Sequence, residues 1–343
     1  MTWLSRQDAA LAGLLRTLPR LPTPLPEASA LFASAERHGL GGVVLDAWRG
    51  ARMQLPPELE RRLEAFSVAQ EIDHDAHIAL LRRIDACFAE ESLVAVALKG
   101  PLFAERYYRR PSTRATSDVD LLVRNCDLDR AARALGSLGF TVADGADEAR
   151  LRSEHHHLHL SHPDALPLEL HFRGYSGFGR VLPSEPLVAR RRPAPLPGMT
   201  VLGVLEPADE LVFLAVHAGA HRFVRLGWLY DLSLLVSRMS PRELAAGAER
   251  ARAWGFGRVL AFAACLLVEL LGLAPDRVAS LGSPGRARRA IARRTAGEPQ
   301  NPFVRSSTRF IYTVSLCDDR RSAARYALRA SAGHVRRLVA VGS

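Results

Sequence analysis

Asp118-Val119-Asp120 sets two carboxylates on one side of an extended segment, because alternate strand residues share a face. Along the backbone they stand about 6–7 Å apart. Val119, Leu121 and Leu122 around them are apolar, so the segment is partly buried and its two charges need a cation between them. A hard divalent ion with oxygen ligands meets that need, and Mg²⁺ completes such a shell with phosphate oxygens. A third acid lies in Leu166-Pro167-Leu168-Glu169-Leu170-His171-Phe172. There Leu168, Leu170 and Phe172 take one face of a strand, and Glu169 and His171 the other. An Asp-x-Asp strand beside a Glu strand supplies the ligands of a two-metal phosphoryl-transfer site. Lys99, in Leu98-Lys99-Gly100, is the only lysine; the other 45 Lys+Arg residues are arginine. A compact ammonium fits among phosphates in a tight space where a guanidinium fork does not.

Other polar clusters offer weaker signals. In Glu154-His155-His156-His157-Leu158-His159 the side chains of His155, His157 and His159 share a strand face and could bind a transition metal. His217 and His221 stand four apart on a helix without the intervening glutamate of a metalloprotease, which favours substrate contact or helix packing. Asp231 lies in the apolar stretch Leu229 to Val236 and needs a cation, with Arg222 and Arg225 the nearest candidates in sequence.

The elements that carry these residues read as a small mixed sheet between two helical segments. Pro22, Pro24 and Pro26 break a first helix, and Pro56-Pro57 introduces a long helical stretch from Glu58 to Glu91. Leu93–Leu98 is a buried strand, Pro101–Tyr108 a short helix and Arg109–Ser117 a polar loop. Asp118–Val123 is a second strand, Leu128–Leu138 a helix closed by Gly139, and Phe140–Ala143 a third strand. His155–Ser161 and Leu166–Phe172 form an antiparallel pair turning at Pro163-Asp164. Pro183–Pro197 reads as a connector and Thr200–Leu205 as a strand, after which the chain is helical to its end.

Composition excludes several classes. The run Val259–Ala274 is too short to span a bilayer and contains Glu269, so no transmembrane segment is expected. Arg6, Asp8 and Arg16 interrupt the first residues, so no secretory signal is expected. Cys87, Cys126, Cys265 and Cys317 form no CxxC pair, which favours a reduced, cytoplasmic setting. The net charge of +10 is concentrated in residues 284–343, where thirteen arginines face Glu298, Asp318 and Asp319. That segment suits a solvated helical face first, then nucleic acid, a membrane surface or an acidic partner, although Phe303, Phe310, Tyr312 and Tyr326 are few for base stacking.

A hydrophobic-Lys-Gly turn opening a helix, an Asp-x-Asp strand and a later Glu strand together resemble the polymerase β-type nucleotidyltransferase superfamily. More specifically, the chain resembles an uncharacterised bacterial nucleotidyltransferase family. The matching residues are Leu98-Lys99-Gly100, Arg114, Asp118-Val119-Asp120-Leu121-Leu122-Val123 and Glu169-Leu170-His171. The stretches His217–Phe223 and Leu226–Asp231 match its helical region, and the likeness runs over roughly residues 30 to 240. Gly100-Pro101 stands where the superfamily usually has Gly-Ser or Gly-Gly, and the spacer before Asp118 is longer. Proline at the first helical position leaves the following amides free for a phosphate but offers no hydroxyl, a contact Lys99 is expected to replace.

The resemblance implies an α+β fold with a nucleotidyltransferase core at residues 92–205, an N-terminal helical segment at 1–91 and a C-terminal helical domain with a basic tail at 206–343. It implies transfer of NMP from an NTP, ATP among them, to a hydroxyl or phosphate of a small-molecule, peptide or protein acceptor, a peptide natural product included. Asp118, Asp120 and Glu169 are the implied catalytic and metal-holding residues, with two Mg²⁺ ions, or Mn²⁺ in their place. Lys99, Gly100, Arg114 and His171 are the implied nucleotide-binding residues. His157, His217, His221, Arg222 and Asp231 are the implied substrate contacts. Two alternatives remain at this level: a non-catalytic binding module on the same fold, and a nucleic-acid-processing enzyme that tracks a backbone with residues 284–343.

Overall fold

Nine short strands are present in the computed structural model, which describes residues 5–18, 28–52, 54–142, 155–296 and 302–341. They are β1 (Ala95–Ala97), β2 (Val119–Leu122), β3 (Thr141–Val142), β4 (His157–His162), β5 (Ala165–His171), β6 (Tyr175–Gly177), β7 (Arg180–Leu182), β8 (Arg192–Pro193) and β9 (Leu202–Val204). Seven of them make one mixed sheet in the order β3-β4-β5-β2-β1-β9-β8, and β6 and β7 form a separate hairpin. β2 runs antiparallel to β1 and parallel to β5, with Asp120 directly opposite Glu169. β4 runs antiparallel to β5, which sets His159 opposite Glu169 and His157 opposite His171.

Period-two alternation divides this sheet into two unlike faces. Ala95, Ala97, Val119, Leu121, Leu158, Leu160, Leu168 and Leu170 share one buried apolar cluster. It is covered by the second half of α4 (Pro57–Glu90), through Ile78, Leu81, Ile84 and Phe88, and by α6 (Leu128–Ser137), through Ala131 and Leu135. The opposite face of β2, β4 and β5 carries Asp120, His157, His159, Glu169 and His171. A one-residue slip of β5 would bury these acids and expose the leucines, so the apolar face fixes the register of the charged one.

Three short helices precede α4: α1 (Arg6–Thr17), α2 (Ala28–Arg37) and α3 (Gly41–Gly50); α5 (Pro101–Tyr107) follows β1. After the sheet come α7 (Glu185–Ala189), α8 (Pro207–Ala220), α9 (Leu226–Arg238), α10 (Pro241–Trp254), α11 (Gly257–Leu271), α12 (Arg286–Thr295), α13 (Pro302–Leu316) and α14 (Arg320–Val341). Val96, Leu98 and Leu122, from the other side of the sheet, join a second apolar cluster with α1–α3 and α8–α11. Arg16 of α1 donates to the carbonyls of Glu269 and Leu270, which closes the C-terminal turn of α11 with a cation. Val259–Leu271 lies within α11, most of whose side chains are buried, and among the described residues no helix is long and apolar enough to cross a membrane.

The long helix, the β4–β5 pair and the helical second half all lie where the sequence pattern puts them. The segment Pro183–Pro197 is more ordered than a connector. Pro186 sits in the first turn of α7, where its missing N–H costs nothing, and Arg192-Pro193 is an edge strand against β9. The β6–β7 hairpin has no alternation long enough to reveal it. Pro22, Pro24, Pro26, Ala143, Glu154 and Glu298 lie outside the described residues. The four cysteines are free.

Candidate active site

Gly100 is the local device that places Lys99. It caps α5 at φ 81°, ψ −144°, a backbone region L residues rarely enter, so the chain turns sharply between β1 and the helix. Lys99 Nζ then reaches back to β2 and bridges both aspartates. It lies 3.1 Å from each oxygen of Asp118 and 3.0 Å from Asp120 Oδ2. The cation that the paired carboxylates require is thus supplied, in the protein alone, by the single lysine.

A second bridge lies on the other side of Asp120. His171 Nε2 is 3.2 Å from Asp120 Oδ1 and 3.3 Å from Glu169 Oε2. With carboxylate oxygens on both sides this nitrogen carries the proton and donates. Asp118, Asp120 and Glu169 therefore form one array, with Lys99 and His171 interleaved. Asp120 is the deepest, its side chain 2% exposed, whereas Asp118 and Glu169 keep 27% and 22% and open the array to solvent. Ser117 Oγ donates to Asp118 Oδ1 from the mouth, at 3.2 Å.

The charges support one another. Burial opposes the Lys99 ammonium, yet Asp120 and Asp118 outweigh it and hold its pKa above the ordinary lysine value. Burial also opposes the Asp120 carboxylate; Lys99 and the His171 hydrogen bond overcome that and keep it below the usual range. Glu169 is likewise held well down, against burial, by His171 and His157. His171 is pushed up by its two carboxylates despite complete burial.

This donor set fits a hard divalent ion. Asp120 Oδ2 is shut from solvent and meets only the Lys99 ammonium. Carboxylate oxygens of Asp120 and Glu169 lie within 4.8 Å of each other. Carboxylate oxygens of this kind are the natural ligands of Mg²⁺ or Mn²⁺.

Histidine and aromatic rings flank the array. The ring centroids of His157 and His156 are 4.9 and 5.5 Å from that of His171, and Tyr175 packs on His156 at 4.8 Å. On α8 and α9, His217, His221 and Trp228 form a mutual triangle with centroids 5.0 to 5.2 Å apart. Nε2 of His217 is closed off and unpartnered, and the charges of Lys99 and Asp120 both act on this ring. His157, His217 and His221 thus gather around the acids. His156, Tyr175 and Trp228 are not singled out by the sequence; the histidine run is the signal available for His156 and the Leu226–Asp231 stretch that for Trp228, while Tyr175 has none.

Three expected site residues are used elsewhere. Arg114 is not directed at the array: its guanidinium pairs with Asp231 through Nε at 3.1 Å and Nη2 at 2.8 Å. Tyr108 adds a hydrogen bond to Asp231 Oδ1 at 2.7 Å, and the Phe103 ring lies against the guanidinium. Asp231 therefore finds its cation in Arg114, and not in Arg222 or Arg225, because α9 packs beside α5 and brings residues distant in sequence together. Arg222 is buried and donates to the carbonyl of Thr295 at the end of α12. A carbonyl at a helix C-terminus satisfies a buried cation there.

Comparison with known proteins follows the same line. A family described as "Uncharacterised nucleotidyltransferase" matches residues 25–272. Among solved structures, the solution structure of the antibiotic-resistance factor ANT(2'')-Ia is similar at 15% identity and a TM-score of 0.38, covering 52% of this chain and 92% of that one. No curated protein matches the chain.

Proposed function

The chain belongs to this uncharacterised nucleotidyltransferase family, whose chemistry is NMP transfer from an NTP, and on that premise we propose that Asp118, Asp120 and Glu169 carry the reaction. The observation that supports it is the parallel register that sets Asp120 opposite Glu169, with Asp118 one step along the same face. The three acids would hold two Mg²⁺ ions, or Mn²⁺ in their place. When bound, such ions lower the pKa of the acceptor oxygen and screen the triphosphate.

The chain's own groups do the rest. Lys99 pairs with both aspartates, keeps Asp120 ionised and places an ammonium beside the array, where the phosphates arrive. His171 holds its Nε2 proton between Asp120 and Glu169, which orients both carboxylates toward the cleft. Gly100 fixes the turn on which Lys99 depends. Arg114, through Asp231, ties the loop before β2 to α9 and so positions Asp118 from behind. The acceptor hydroxyl or phosphate oxygen attacks the α-phosphorus in line, the bond to the leaving group breaks, and pyrophosphate departs. The acceptor is a small molecule, peptide or protein, bound against the His217–His221–Trp228 side of the cleft.

A thermal-shift screen of the four NTPs with and without Mg²⁺ tests this reading. At least one NTP raises the melting temperature only with Mg²⁺ present, and Asp118→Asn loses that dependence. Melting curves indifferent to every NTP would overturn it.

A further inference from the structure

A second, nitrogen-bearing cluster adjoins the three acids. It is built on the cross-strand pair of β4 and β5 in which His159 faces Glu169. His159 Nδ1 lies 3.6 Å from Glu169 Oε1, and His157 Nδ1 lies 3.8 Å from Oε2. Both separations are too long for a hydrogen bond. They match two ligands of one ion, which at metal–ligand distances near 2.1 Å stand about 3–4 Å apart. The Nε2 atoms of the two rings are 2.9 Å apart, so in the ion-free protein one ring donates there and the other accepts, and an ion held by both Nδ1 atoms moves the accepting ring's proton to Nε2 and turns the two rings apart. A neutral donating ring then leaves a bare Nδ1 lone pair facing a carboxylate, which is a repulsive contact unless a cation lies between them. Independently, His157 Nδ1 is shut from solvent and lacks any hydrogen-bond partner. One ligand atom from each of His157, His159 and Glu169 lie within 4.8 Å of one another.

We propose that His157, His159 and Glu169 form a site for a borderline first-row transition ion, of the Zn²⁺ or Co²⁺ class, separate from the hard-ion position at Asp118 and Asp120. Two imidazoles and one carboxylate select such an ion over Mg²⁺, which prefers an all-oxygen shell. The His159 side chain is 62% exposed, which gives the ion a path from solvent. The site shares Glu169 with the proposed reaction centre but does not depend on that reading.

The test is Co²⁺ titration of the chelator-stripped full chain in excess Mg²⁺, followed by visible absorption and by calorimetry. Wild type binds one Co²⁺ with the ligand-field bands of nitrogen coordination, and Asp118→Asn binds it equally well. His159→Ala, at an exposed position that leaves the fold intact, weakens binding at least about tenfold, and His157→Asn does the same. The proposal is overturned if wild type takes up no Co²⁺ under Mg²⁺, if both histidine variants bind as wild type does, or if Asp118→Asn abolishes binding. NMP transfer is read separately: loss of turnover in Asp118→Asn with Co²⁺ binding retained separates the two sites.

Discussion

Asp120 and Glu169 stand opposite each other on neighbouring parallel strands, and one imidazole nitrogen, His171 Nε2, spans the two carboxylates. Lys99 spans Asp120 and Asp118 in the same way on the other side. The resting protein thus holds three acids with one ammonium and one imidazole donor of its own, an arrangement that an incoming ion and triphosphate must rearrange.

Lys99 is the first point at which this can be challenged. Lys99→Met leaves the two aspartates without their counter-charge and removes the ammonium that meets the phosphates. A charge-assisted contact of this kind contributes about 1.5–3 kcal/mol, so NTP affinity falls by about 10–100-fold. Lys99→Arg does not restore it, because a planar fork cannot take the place of a point charge held between two carboxylates. Isothermal titration with NTP and Mg²⁺ measures both variants; full affinity in Lys99→Arg contradicts the assignment.

The Arg114–Asp231 pair is a prediction about stability. Both side chains are nearly closed to solvent, at 9% and 4% exposure. Asp231→Ala leaves a buried guanidinium and the Tyr108 hydroxyl unpaired, and costs about 3–5 kcal/mol. Replacing both partners at once, as Arg114→Met with Asp231→Leu, costs less than the single change. Urea unfolding checks the pair, and a single variant as stable as wild type contradicts the buried network.

Acid stability depends on the buried imidazoles. Burial depresses His38 and His217 and takes His156 down to about 2. For a histidine with a lowered folded pKa, the unfolded chain binds more protons once the pH falls below about 6.5, so stability is lost as the pH drops through that value. His156 alone accounts for up to about 2 kcal/mol between pH 6.5 and pH 5. His171, with its pKa raised, acts in the opposite sense, present at low pH and lost as the pH rises, but it is one group against several. Melting temperatures recorded from pH 7.5 to pH 5 therefore fall, before the carboxylates begin to titrate; a flat or rising profile contradicts this.

Much of the site was legible because strand alternation is a strict rule. The spacing of Leu168, Leu170 and Phe172 places Glu169 and His171 on the charged face, and the Pro163-Asp164 turn fixes β4 against β5. What was not legible rests on contacts between elements. Nothing local pairs Arg114 with Asp231, and nothing local buries Arg222 against Thr295 at the end of α12. The bridging position of Lys99 was also hidden, since its type suggested phosphate contact but not which charges hold it in the meantime. Short, proline-bearing pieces such as α7 and β8 lack the length for periodicity to appear.

The most direct measurement is pyrophosphate release from NTP and Mg²⁺ by wild type and by Asp120→Asn, with both shown to be folded. Asp120 touches Lys99 and His171 and is the acid at the centre of the array, so its charge cannot be supplied by a neighbour. Wild type releases pyrophosphate in a Mg²⁺-dependent manner, and Asp120→Asn is slower by on the order of 10²–10³-fold. Equal release by the two proteins would contradict the assignment of these carboxylates as the reaction centre.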